Sequence, residues 1–284
     1  MEHDGGEAQR YDAEVDVNLL PLPTSQLGAI GLEVRRTFRA PYENLFVAGC
    51  NGGLVLLAWF TLPASVTGLL WNPHGPDSLA IALLVWMVAD VPATNVFGSD
   101  AARMTRGLSH PRKLHFMLRA KALALWALAA FFCIPIDVAS GLHSGRSLTQ
   151  AVAVALAIAF IPLAVLGLAA YVGALYPYHP ISLRARFNQD RRAPKRLLRW
   201  VILVTLPYVL VPALGQLAVI GFVALEHLCS VNIRHLSSKS AFVTLLAATA
   251  ALTIAINAAG YRGLLRLVAR NKTPLSAMLA DETL

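Results

Sequence analysis

The residues that could do chemistry in this chain are polar side chains embedded in apolar stretches. Asp90 stands near the end of the second long apolar stretch, residues 78–98, and Thr94 follows one helical turn later on the same face. Asn95 comes next, and Asn51 lies in the first stretch. A charge at such a position is costly unless it faces protein or water. The pattern therefore indicates a polar element of a pathway or gate, or an interhelix pair of Asp90 with Lys121 or Asn51.

Motifs for catalysis or cofactor binding are missing from the sequence. No Gly-Lys pair occurs, so no phosphate-binding loop for ATP can be assigned. Residues 226–235 include side chains with ligand chemistry, but their irregular spacing predicts a solvated loop rather than a metal site. Asp100-Ala-Ala-Arg103 matches part of a lipid-headgroup transferase motif without its later paired aspartates. We therefore expect no catalytic residue, metal or cofactor, and a membrane-embedded lipid-modifying enzyme is a less favoured alternative.

Six long apolar segments make up most of the chain: 46–71, 78–98, 121–140, 150–176, 199–225 and 241–262. Each is long enough to cross a hydrocarbon core of about 30 Å as a helix. Charged residues are 14% of the chain, well below the roughly 25% of ordinary soluble domains. These features predict an all-α integral membrane protein with six transmembrane helices in one membrane domain, residues 25–270.

The basic residues indicate how these segments are oriented. Of the 24 Lys and Arg residues, all but Arg146, Arg234 and Lys239 lie before the first segment, around the second–third and fourth–fifth linkers, or at the end of the sixth. Because basic loops stay in the cytoplasm, the pattern predicts a multi-pass protein of the cell (plasma) membrane with both termini cytoplasmic. The net charge of +8 fits attraction to anionic lipid headgroups, and no nucleic-acid partner is expected.

The two ends of the chain differ from the rest. Residues 1–24 are acidic and contain prolines, and they predict a mobile cytosolic tail; residues 271–284 predict a second cytosolic tail. Residues 25–40 carry an apolar stripe at steps of three and four residues, formed by Leu27, Ile30, Val34 and Phe38. The stripe predicts an amphipathic helix that lies along the inner leaflet with its apolar side down, and the alternative is an ordinary cytosolic helix.

The linker between the second and third segments predicts a short cytosolic helix. Asp100 or the preceding serine can cap a helix over residues 101–106. Gly107 can end this helix, and Pro111 can open the next one, which runs into the third segment. A short helix across the mouth of the bundle is a suitable surface for contact with another protein. The alternative is a basic interfacial loop.

This linker resembles a pattern in the permease subunits of bacterial ABC exporters. The resemblance rests on three consecutive motifs, Asn95-Val-Phe97-Gly98-Ser-Asp100, Leu108-Ser-His-Pro111 and Arg119-Ala-Lys121-Ala-Leu-Ala. In that family the second span ends in Asn-x-Phe-Gly-x-Asp-Gly, and a short cytosolic helix, a Pro, basic residues and a Lys follow. Ala174-Leu-Tyr-Pro177-Tyr-His-Pro180 is similar to the family's fourth–fifth linker. The chain departs from the pattern at Ala101, where the family usually has Gly.

The resemblance implies a six-helix half-transporter. The short helix would be a coupling helix seated on a separate ABC ATP-binding subunit, with Asp100, Arg103 and Arg106 as docking contacts and with ATP bound only by that partner. A second permease, identical or different, would complete the translocation path within the membrane lipids. The runner-up interpretation is a non-transporting membrane immunity or assembly factor with the same fold. Neither interpretation identifies a substrate.

Overall fold

The computed structural model describes residues 22–39, 42–71, 77–88, 91–175 and 239–280, with a few isolated positions between 177 and 205. Helices and their connecting turns account for these residues, and no strand occurs among them. The prediction of an all-α chain is therefore confirmed for the described part. Asp90, nearly all of the acidic tail 1–24 and nearly all of the fifth apolar segment lie outside it.

The element order is a run of helices joined by short turns. A 3-10 turn, Gly98–Asp100, leads into the short helix of the linker. The helices are, in chain order, α1 (Gln26–Thr37), α2 (Glu43–Thr61), α3 (Ala64–Trp71), α4 (Ser78–Val88), α5 (Val91–Thr94), α6 (Ala101–Leu108), α7 (Pro111–His143), α8 (Leu148–Ala159), α9 (Ile161–Leu175), α10 (Lys239–Arg270) and α11 (Lys272–Ala280).

Three stretches are long and apolar enough to cross a membrane: Asn44–Thr61, Pro111–His143 and Leu148–Leu175. They coincide with the first, third and fourth predicted spans. The second is represented by α4, an apolar helix of shorter length, and the sixth lies within α10. Large apolar side chains on α2 and α7 point outward, and Phe46, Phe60 and Phe131 are each at least 70% exposed. Such exposure on long apolar helices is expected where lipid surrounds the protein.

Prolines divide two of the predicted spans into shorter helices. Pro63 separates α2 from α3, and Pro162 stands in the first turn of α9. A proline lacks the N–H that continues a helix but fits its first turn, so it ends one helix and opens the next. The segments predicted as continuous over 46–71 and 150–176 therefore each form two helices. Pro135, by contrast, lies inside α7 without ending it.

Close helix contacts occur at glycines. A Cβ atom on Gly260 of α10 would lie 2.9 Å from the carbonyl oxygen of Gly167 on α9. A Cβ atom on Gly173 of α9 would overlap with the carbonyl oxygen of Thr94 in α5. Small residues at such crossings let two backbones approach each other directly. The end of α5 is thus fixed against α9.

Helix α1 packs against the protein through its polar face. Ser25 caps its first turn by accepting a hydrogen bond from the backbone N–H of Gly28 at 3.1 Å. The buried residues include Glu33 and Thr37, whereas Leu27 is 81% exposed and Phe38 61% exposed. An ordinary soluble helix buries its apolar stripe instead. The amphipathic helix predicted over residues 25–40 is therefore present, and its apolar side faces away from the protein.

The segment after α10 is helical. Residues 271–284 are predicted as a C-terminal tail, yet α11 covers most of them and packs against α6. Leu275 and Leu279 of α11 are 2–3% exposed and belong to the same apolar core as Met104 and Leu108 of α6. Helix α6 is thus held between α7 and α11, and this packing fixes its orientation.

Candidate functional site

The short helix of the linker forms where the sequence predicts it. Helix α6 begins at Ala101, directly after Asp100, and ends at Leu108, two residues beyond the predicted end. Asp100 occupies the N-cap position but makes no side-chain capping hydrogen bond. Pro111 is the first residue of α7, as expected from its fixed backbone angle. The backbone of the linker therefore matches the prediction, and two of its charged side chains make contacts within this chain.

Five charged residues form an ion-pair network that joins α1, the start of α6 and α7. We refer to it as the α1–α6–α7 network; its members are Glu33, Arg36, Asp100, Arg103 and Lys121. Arg36 Nη1 donates to Asp100 Oδ2 at 2.7 Å, and Arg103 Nε lies 3.1 Å from the same oxygen. Arg103 Nη2 also donates to Glu33 Oε1. Lys121 Nζ lies 3.7 Å from Asp100 Oδ2 and 3.9 Å from Glu33 Oε2.

The α1–α6–α7 network is buried and not charge-balanced. The side chains of Asp100 and Arg103 are 1% exposed, and Arg36, the most accessible member, is 23% exposed. Three cations face two carboxylates, which leaves one formal positive charge in excess. Asp100 Oδ1 and Arg103 Nη1 have no hydrogen-bond partner among the described residues. Removing one partner from such a buried set costs about 3–5 kcal/mol, because the other charges lose their compensation.

Arg36 is the member through which the network reaches the surface. Burial lowers the pKa of this guanidinium, but the carboxylates of Asp100 and Glu33 outweigh the burial and raise the pKa above its ordinary value. Arg36 is therefore a permanent cation, and it bridges Asp100 to the Glu33 side chain one turn earlier at 3.5 Å. Helix α1 cannot leave α6 without separating these charges.

The three predicted docking residues have different environments. Asp100 and Arg103 lie inside the α1–α6–α7 network, where they contact this chain itself. Arg106 lies on the exposed face of α6, together with Ala102. Only this outer face is open to another protein, so the burial of Asp100 and Arg103 gives them the role of fixing α6 in place.

The predicted pathway residues are partly brought together. Thr94 and Asn95 are fully buried where α5 ends against α9, and Asn51 is 7% exposed on α2, which contacts α5. Asp90 lies outside the described residues. Lys121, named above as a possible partner for Asp90, lies near Asp100 and Glu33. The polar residues of this region thus line the junction of α2, α5 and α9.

Two buried acidic residues are absent from the sequence predictions. Glu33 stands off the apolar stripe of α1, and an acidic residue among arginines is a signal for an ion pair. Asp137 lies inside the third apolar segment and is 1% exposed. Its signal was a carboxylate within an apolar helix, the same argument that selected Asp90. At both positions a carboxylate is buried, where an unpaired charge costs more free energy than it does at the surface.

The described residues offer no place for a metal ion. No group of three or more His, Cys, Asp or Glu side chains that could hold one occurs within these ranges. Cys50 is exposed and Cys133 is buried, and neither forms a disulfide. The α1–α6–α7 network attaches α1 to α6 and α7 through electrostatic contacts.

Comparisons with known proteins add no relative. No protein-family model matches the chain, and the comparisons with curated proteins and with solved structures found no match. The resemblance to exporter permeases therefore rests on the sequence motifs of the linkers and on their placement between the predicted spans.

Proposed function

We propose that this chain is the membrane-spanning permease subunit of an ATP-driven exporter in the plasma membrane. In this proposal the chain has six spans and both ends in the cytoplasm, and a separate ATP-binding subunit contacts α6. The observation that carries the proposal is the attachment of α6. A short helix with an open outer face is joined by buried ion pairs to the interfacial helix α1 and to the long apolar helix α7.

The network supplies a mechanical link for such a subunit. A push on the exposed face of α6 reaches α7 through Arg103 and Lys121, because these side chains share the same carboxylate partners. Two ATP-binding subunits that close on ATP would move α6, and two permeases would tilt between inward-open and outward-open shapes. ATP drives the cycle by binding the two shapes with different affinity. Among the described residues, the candidates for lining the translocation path are Asn51, Thr94 and Asn95. Asp90 is a fourth candidate.

A second permease, either an identical copy or a different chain, completes the path in this proposal. Membrane lipids cover the outward apolar faces of α1 and α2, where Leu27 and Phe60 are among the most exposed apolar residues. ATP binds only to the partner subunit, which agrees with the absence of a phosphate-binding loop from this sequence.

A pull-down in mild detergent tests the proposal. The tagged chain is purified, the co-purifying proteins are identified and ATP hydrolysis is measured. We expect an ATP-binding subunit in stoichiometric amount. Charge reversal on the open face of α6, Arg106→Glu, should remove this subunit while the chain stays folded. The matched control is Arg35→Glu, which reverses an exposed arginine on α1 and should leave the complex intact.

The same experiment separates the alternatives. A folded chain that never brings down an ATP-binding protein would overturn the permease proposal and would favour a non-transporting membrane immunity or assembly factor. Loss of the subunit in both charge-reversal variants would mean that α6 is not the docking surface.

A further inference from the structure

Three charged residues meet at the end of α7 that is far from the α1–α6–α7 network. Asp137 lies sixteen positions after Lys121 on the same helix, a distance of about 24 Å at the α-helical rise. Asp77 directly precedes α4, and Arg146 stands in the turn between α7 and α8. We refer to these three residues as the distal acid pair and its arginine.

Arg146 is fixed by the turn that ends α7. Gly145 has a φ of +86°, a conformation that favours glycine, and its N–H donates to Leu142 at 3.0 Å. The N–H of Arg146 donates to the carbonyl of Gly141, also at 3.0 Å. The guanidinium then binds Asp77 with both Nη atoms, at 2.5 and 2.8 Å. This hydrogen bond raises the pKa of Arg146 above its ordinary value, so Arg146 is a permanent counter-ion of Asp77.

Asp137 has a different environment from Asp77. It is 1% exposed, and neither carboxyl oxygen has a hydrogen-bond donor among the described residues. Both Nη atoms of Arg146 are engaged by Asp77, and the Asp77 carboxyl is within hydrogen-bonding reach of Asp137. Cys133, one turn earlier on α7 and buried, is a further titratable group near it. Two ionised carboxylates are both acceptors, so only a proton can join them.

We propose that Asp77 and Asp137 form a proton-binding site, in which one proton is held between the two carboxyl groups and Arg146 neutralises the remaining negative charge. The ligand is a single proton from solvent, and Asp77 is its route of exchange because its side chain is 23% exposed. With the proton bound the site is neutral. Release of the proton leaves two carboxylates facing one guanidinium in a buried setting, which like-charge repulsion disfavours.

The proton joins parts of the fold that are distant in sequence. Asp77 belongs to the start of α4, Asp137 to the last turns of α7 and Arg146 to the turn before α8. The stabilisation from the shared proton is complete at low pH and is lost as the pH rises past the point of proton release. This inference does not depend on the proposed transport function, since it concerns the protonation of two residues of this chain alone.

The test uses the purified full chain in detergent with two measurements. Infrared spectroscopy at neutral pH reports the C=O stretch of a protonated carboxyl, and thermal unfolding is followed from about pH 5 to about pH 9. We expect the protonated-carboxyl band in the wild type and its loss in Asp137→Asn. As the pH rises, the unfolding temperature of the wild type should fall by several degrees more than that of Asp137→Asn. The amide of this variant supplies a permanent hydrogen-bond donor to Asp77, so it loses no shared proton.

A second variant keeps the test decisive if Asp137→Asn does not fold. Asp77→Asn also leaves one carboxylate and one amide donor, so it should likewise lose the band and the extra pH dependence. Asp12→Asn, in the acidic segment 1–24, is the control and should behave as the wild type. Equal pH dependence in the wild type and both variants, with no protonated-carboxyl band, would overturn the proposal. A shift that requires sodium at constant pH would also overturn it, because the bound ligand would then be a metal cation.

Discussion

At the scale of single residues, the α1–α6–α7 network uses guanidinium groups where one side chain must reach two carboxylates. Arg103 contacts Glu33 through Nη2 and Asp100 through Nε; Lys121 reaches the same two carboxylates from a single nitrogen and at longer distances. A buried network of this kind is weak evidence for stability, because desolvation offsets most of the attraction. The network instead determines position, because it holds α1 and α6 against α7 in one arrangement.

Charge balance in the network leads to a prediction for Glu33. Glu33→Gln leaves three cations with one carboxylate, so we expect the free energy of unfolding to fall by about 3 kcal/mol. Adding Lys121→Met removes the extra cation and should recover part of the loss, which makes the two changes non-additive. Denaturant unfolding of the purified chain in detergent measures both effects. Arg35→Met, at an exposed position of α1, should stay within about 0.5 kcal/mol of the wild type, and additive losses at Glu33 and Lys121 would contradict the prediction.

At the scale of elements, α1 shows how a helix can attach to the rest of a protein by its polar face. The exposed stripe includes Leu27 and Phe38, with Arg35 and Arg39 exposed beside it. Apolar residues flanked by arginines suit the boundary between acyl chains and anionic headgroups. The inner face carries Glu33, whose partners lie on α6 and α7. Helix α1 is thus suited to contact lipid on one side and the linker on the other.

The contact between α5 and α9 gives a prediction for glycine. Gly173→Ala places a methyl group that overlaps with the carbonyl oxygen of Thr94, so the two helices must move apart. We expect a loss of about 1–3 kcal/mol in unfolding free energy. Gly53→Ala on α2 is the matched control, because no described atom lies within 4 Å of its Cβ position. That variant should be neutral or up to about 1 kcal/mol more stable, from helix propensity alone. Equal effects in both variants would show that the α5–α9 contact is looser than described.

The same elements show what the sequence can predict. Helix α6, the opening of α7 at Pro111 and the amphipathic α1 follow from local signals such as caps, prolines and helical spacing. The burial of Asp100 and Arg103 does not follow from local signals, because a helical pattern tells which residues share a face and not what covers that face. The contacts of Glu33 with both Arg103 and Lys121 are tertiary, because these two residues lie about 70 and 90 positions later in the chain.

At the scale of the whole molecule, the buried charges lie near the two ends of α7. The helix has 33 residues, about 50 Å at the α-helical rise, which exceeds a hydrocarbon core of about 30 Å by several turns. The α1–α6–α7 network surrounds Lys121, and the distal acid pair contains Asp137. The segment between them is apolar and alanine-rich. Charges at both ends and apolar side chains between them are the distribution expected of a membrane-crossing helix.

Crossing by α7 is tested by labelling from the two sides of the membrane. In a background without the native cysteines, Ser109→Cys lies just before α7 and Thr149→Cys just after it, and both positions are exposed. A membrane-impermeant thiol reagent added to intact cells should label Thr149→Cys alone, and Ser109→Cys should react only after the membrane is opened, because basic linkers stay in the cytoplasm. Labelling of both positions from the same side would mean that α7 does not cross. The reverse pattern would place α6 outside the cell, where it could not contact an ATP-binding subunit, and would overturn the permease proposal while leaving the fold intact.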